Sequence, residues 1–129
     1  MASTIDTLTV DCTEPGVVGR FWSMALGWDV ADAGDGEVEI ADPTGRDRPI
    51  LFQVVPEAKA AKNRWHLDLR PLRSMAEEVA RLVVAGASVL ERIDEHGSFW
   101  TVLQDPEGNE FCVLRGPDDG WSPEVRGNA

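Results

Sequence analysis

Asp105-Pro106-Glu107-Gly108-Asn109-Glu110-Phe111-Cys112-Val113-Leu114 reads as a tight turn running into a short apolar strand. The pattern occurs once before. Asp42-Pro43-Thr44-Gly45 precedes Phe52-Gln53-Val54-Val55, with four more residues between turn and strand than in the later copy. A shift of 59 residues lays Phe52 on Phe111, and the same shift puts Thr7 on His66, Leu8 on Leu67, Gly27 on Gly86 and Val30 on Val89. Two such copies make a duplication; a solenoid needs three or more.

Each copy opens on a strand. Thr4 to Val10 is β-branched and apolar. Trp65 to Arg70 alternates, with Trp65, Leu67 and Leu69 on one face and His66, Asp68 and Arg70 on the other. A helix follows in each copy. Pro15 suits the first helical position, Val18, Phe21, Trp22 and Ala25 share one face, and Gly27 ends the run. Met75, Val79, Leu82 and Val83 form the second stripe, closed by Gly86. Three strands complete each copy, at residues 28–31, 37–41 and 50–55 and again at 88–93, 99–104 and 110–114. The spacing predicts an α+β chain of two βαβββ modules, about 4–55 and 65–115, joined by a linker at 56–64. The two make one domain over 1–116, and residues 117–129 form a tail that Trp121 anchors or that frays.

Composition removes several partners. A formal charge of −11 repels phosphate backbones and anionic lipid surfaces, so neither nucleic acid nor a membrane is expected. No run approaches the ~20 apolar residues of a membrane span, and the opening MASTIDTLTV lacks a basic-then-apolar signal pattern. A cytoplasmic protein is therefore expected, in which Cys12 and Cys112 stay reduced.

The repeated βαβββ unit, Phe21-Trp22 with Leu26-Gly27-Trp28, and Asp105 to Phe111 resemble the vicinal oxygen chelate superfamily of glyoxalases, extradiol dioxygenases, fosfomycin-resistance enzymes and bleomycin-binding proteins. The segment Lys62-Asn63-Arg64-Trp65-His66-Leu67-Asp68-Leu69 is similar to the glyoxalase-like group common in actinobacteria. The resemblance implies that the two modules form a curved mixed-sheet cup around a pocket, as in the glyoxalase/bleomycin resistance/dihydroxybiphenyl dioxygenase fold. It also implies a homodimer. The family often holds a divalent metal through one residue from the first and one from the last strand of each unit. Carried over by the 59-residue shift, those positions are Thr7, Gln53, His66 and Cys112.

These four are poor donors as a set. His66 is a good ligand, Gln53 a weak neutral oxygen, Thr7 weaker still, and Cys112 puts a soft thiol where the family has a carboxylate. A catalytic metal site normally needs three good protein ligands. The expectation is accordingly no cofactor; a divalent metal such as zinc, nickel, manganese or iron would use His66, Cys112 and Gln53. Glu110 shares the strand parity of Cys112 and either leans in or stays solvated.

His66 is the catalytic candidate, since an imidazole with a pKa near ~6.5 moves protons at neutral pH. A histidine merely hydrogen-bonded inside the fold is the competing reading. Asp68 either orients that imidazole or pairs with Arg70, and His96 belongs to a hairpin turn. Thr7, Gln53, His66, Trp100 and Cys112 are the expected ligand-binding residues. Of the other tryptophans, Trp22 and Trp28 are expected in the core and Trp65 beneath the second helix, while Trp100 faces either cup or core. Lys59, Lys62 and Arg64 either bind an anion or pair with local carboxylates. Two functions fit this pattern. One is a glyoxalase-like protein that binds a small oxygenated molecule, with lyase or isomerase chemistry through His66. The other is metal-free sequestration of an antibiotic-type molecule, as the bleomycin-resistance proteins do.

Overall fold

Each copy folds as a strand, a helix and three further strands in the computed structural model, which describes residues 1–124. In the first unit, residues 1–60, β1 (Leu8–Cys12) leads to α1 (Pro15–Leu26) and then β2 (Asp29–Gly34), β3 (Glu37–Ala41) and β4 (Ile50–Val54). In the second, from Ala61 onward, β5 (Asp68–Leu69) leads to α2 (Met75–Ala85), β6 (Ser88–Glu95), β7 (Ser98–Gln104) and β8 (Glu110–Val113). The strands make two mixed four-stranded sheets, ordered β1-β4-β3-β2 and β5-β8-β7-β6. In each, the first strand runs parallel to the last and the other pairs are antiparallel.

Local chemistry accounts for the boundaries. Pro15 opens α1, where its missing N–H costs nothing, and Gly27 closes it at φ 71, a left-handed conformation that favours glycine. Val18, Phe21, Trp22 and Ala25 are all buried, as the periodicity predicts, against Ile40, Ile50 and Phe52 of the sheet. Ser74 caps α2 by accepting from the Glu77 N–H at 3.1 Å. Its buried stripe is narrower than expected. Met75 and Leu82 are buried and Val79 is half-buried, but Val83 is 43% exposed.

The hairpins turn on Asp35-Gly36 and His96-Gly97, with φ of 53 and 81° and of 51 and 81°. Two consecutive positive φ values match the right-handed twist of the strands they join. His96 is thus an exposed turn residue, as expected.

The first strands differ from expectation. β1 starts at Leu8 and runs to Cys12, because its ladder with β4 pairs Leu8 with Ile50 through Cys12 with Val54. β5 is only Asp68–Leu69. Ahead of it the Asn63 side chain takes the place of a neighbouring strand: its amide donates to Trp65 O (2.8 Å) and Glu110 O (3.2 Å) and accepts from Glu110 N–H (2.8 Å). Trp65 lies outside the ladder and is 88% exposed, which corrects its expected place under the helix. Trp22 is buried and Trp28 half-buried.

Candidate functional site

The parallel pair of β5 and β8 places Asp68 opposite Cys112, and Cys112 N–H donates to Leu67 O at 2.9 Å. His66 and Asp68 are alternate residues, so they share a side of the chain. His66 Nε2 stands 3.2 Å from Asp68 Oδ1, and the same carboxylate also acts electrostatically on Arg70. Donor atoms of His66, Asp68 and Cys112 all lie within 4.8 Å of one another. The imidazole and carboxylate are half-exposed, and Cys112 is buried. Burial pushes the Cys112 thiol up to about 11, helped by the negative charge of Asp68 and a hydrogen bond to it. The Lys62 ammonium pulls the other way.

These three groups face a cavity of about 330 Å³ lined also by Lys62, Trp100 and Glu110. Trp100 thus lines the pocket. Lys62 forms an ion pair with Glu110, so one residue of the basic linker segment does pair locally. The walls between are apolar, from Val102, Phe111 and Leu114.

The structure brings His66, Trp100 and Cys112 together and adds Asp68, Glu110 and Lys62. Thr7 and Gln53 belong to the first unit and have partners there: Thr7 Oγ1 donates to Asp6 Oδ2 at 2.7 Å, and Gln53 Nε2 to Asp11 Oδ1 at 3.4 Å. Strand pairing also corrects the equivalence of Thr7 and His66. Gln53 pairs with Asp11, and Cys112 with Asp68. Gln53 to Cys112 is a step of 59, but Asp11 to Asp68 is 57, so the counterpart of His66 is Thr9. The physical reason is the longer connection from strand to helix in the second copy, residues 70–74 against 13–14, which slides the strand relative to its helix.

Residues 7–114 match the family model of the glyoxalase-like domain. The chain belongs to that family. No curated protein matches it by sequence. Among solved structures, this glyoxalase-like chain is similar to a glyoxalase-related enzyme from Fulvimarina pelagi, at 17% identity over 90% of each chain with a TM-score of 0.66. A glyoxalase/bleomycin resistance protein/dioxygenase family enzyme from Burkholderia phytofirmans PsJN is 15% identical, covering 84% of this chain and 97% of its own, with a TM-score of 0.67. A mutant of the fosfomycin resistance protein FosX from Listeria monocytogenes is 13% identical over 90% of this chain and 92% of its own, with a TM-score of 0.71. These likenesses show the vicinal oxygen chelate fold. Among the described residues no helix is long and apolar enough to cross a membrane.

The FosX neighbour is complexed with Mn(II). The donors here are an imidazole nitrogen, a carboxylate oxygen and a thiol sulfur. Sulfur disfavours a hard, oxygen-seeking ion such as manganese, whereas zinc accepts all three donor types. The set fits a zinc-like ion.

Proposed function

We propose that this glyoxalase-like protein binds a small oxygenated molecule in the pocket of its second unit and acts on it by lyase- or isomerase-type chemistry centred on His66, Asp68 and Cys112. The observation that carries the reading is convergence: three polar groups meet at one place in a cavity of about 330 Å³, with Trp100 on its wall. That size is within the range of small-ligand pockets, which are mostly apolar with few directing polar groups. Trp100 supplies a flat apolar surface, and His66 with Asp68 supplies the polar end. A zinc-like ion held by these residues would supply Lewis acidity toward a ligand oxygen.

Thermal-shift screening against fosfomycin, α-hydroxyketones and vicinal diols, followed by calorimetry and product analysis, tests this. Binding in a one-to-one ratio that Trp100→Ala and His66→Ala both abolish is the expected result. Binding unaffected by either change refutes it. A second reading, sequestration without turnover, is favoured by the buried thiol of Cys112, a soft donor where the family has a carboxylate; it predicts one-to-one binding and no product. We also propose a homodimer, supported by the exposed apolar side chains of Trp65 (88%), Leu72 (93%) and Val84 (90%); equilibrium sedimentation tests it.

A further inference from the structure

We propose that the pocket of the second unit takes an organic cation, and that the Lys62 ammonium is a tethered placeholder which that cation displaces from Glu110. The inference rests on the binding reading above and names the charge of its ligand. Two carboxylates, Asp68 and Glu110, and one ammonium, Lys62, line the cavity beside the flat ring of Trp100.

The two halves of the Lys62–Glu110 ion pair are unequally held. Glu110 opens β8, and the Asn63 side chain grips both of its backbone groups, accepting from its N–H at 2.8 Å and donating to its carbonyl at 3.2 Å. The Glu110 side chain is only 20% exposed. The Lys62 side chain is 72% exposed and hangs on a flexible four-carbon stem. Losing a partner costs little for an ammonium that water takes up, and much for a carboxylate set into a wall. The side that can leave is therefore Lys62. An anionic ligand would have to draw Lys62 away and strip Glu110 of its ammonium beside a second negative charge. A cationic ligand replaces one positive group with another, so the charge in the pocket is unchanged while Lys62 swings into water. Trp100 adds a ring face that attracts a cation. A formal charge of −11 on the chain raises the local concentration of cations.

The test is anaerobic calorimetry on the full chain with three compounds that share a ring bearing vicinal hydroxyls and differ only in the side arm: ethylammonium, hydroxyethyl or carboxymethyl. The ethylammonium compound should bind about tenfold more tightly than the other two, an advantage that shrinks in ~1 M sodium chloride. Lys62→Ala, at an exposed side chain, should tighten ethylammonium binding about threefold because the resident competitor is gone. Glu110→Gln, which keeps the shape, should abolish the preference for the cation. Weaker ethylammonium binding in Lys62→Ala would overturn the proposal, as would a preference for the carboxymethyl compound or a cation preference that survives Glu110→Gln. Equal binding of all three would overturn it and leave the binding reading standing. If none of the three binds, the proposal fails, and the binding reading fails with it only when the wider screen is also empty.

Discussion

Replacing Asp105 tests whether the turn before β8 is an internal fastening or only a punctuation mark. Its carboxylate is buried, 4% exposed, and Oδ1 accepts from Glu107 N–H (2.8 Å) and Asn109 N–H (2.9 Å) while Oδ2 accepts from Asn109 Nδ2 (3.0 Å). Hydrogen bonds to a charged group contribute ~1.5–3 kcal/mol each, and the donors left behind are partly buried. Removal of the desolvated charge offsets part of that sum, so Asp105→Ala should cost about 3 kcal/mol. In a chain of this length that lowers Tm by roughly 12 °C. Asp105→Asn keeps one acceptor oxygen and should lose less than half as much. Asp42 offers the internal control. It accepts from Thr44 N–H, Thr44 Oγ1 and Asp47 N–H, bonds that hold its carboxyl below the usual range, yet it sits on the surface where water replaces every lost partner. Urea unfolding followed by far-ultraviolet circular dichroism should rank Asp105→Ala far below Asp42→Ala. Equal losses from the two would refute the argument that burial makes the difference.

Other substitutions separate close alternatives. Leu82→Ala should cost ~2–5 kcal/mol and Val83→Ala less than ~1, measured by urea unfolding, because only Leu82 is buried. Gly116→Ala should destabilise more than Gly19→Ala in the same assay. A Cβ at 116 would stand 2.2 Å from the Arg73 carbonyl oxygen, a backbone atom, whereas at 19 it would meet the Val38 Cγ1 at 2.9 Å, and that side chain can turn. For Cys112 the folded pKa, about 11, exceeds the unfolded 9.0, so the folded state keeps a proton that the unfolded state sheds. Its contribution is therefore complete below pH 9 and is lost as pH rises to about 11, by ~2 kcal/mol. Unfolding of wild type and Cys112→Ala compared from pH 8 to 11 should show that difference in slope.

The duplication, the α+β class and the burial of Val18, Phe21, Trp22 and Ala25 were legible in the chain because they are local: turn residues, helical spacing and an internal repeat each act within a few residues. His66 and Cys112 were legible through the repeat, and so was Trp100 as one of two faces. What the sequence by itself could not determine depends on which backbone atoms meet. Register is a tertiary quantity: a longer strand-to-helix connection moved the counterparts of His66 and Leu67 from Thr7 and Leu8 to Thr9 and Val10, while Gln53 and Cys112 in the last strands kept their 59-residue offset. Asn63, a side chain standing in for a strand, precedes a β5 that starts only at Asp68 and leaves Trp65 outside the ladder. Asp68 had two candidate partners on paper, and only the fold put it against His66 and Cys112, because cross-strand pairing brings together residues more than forty positions apart.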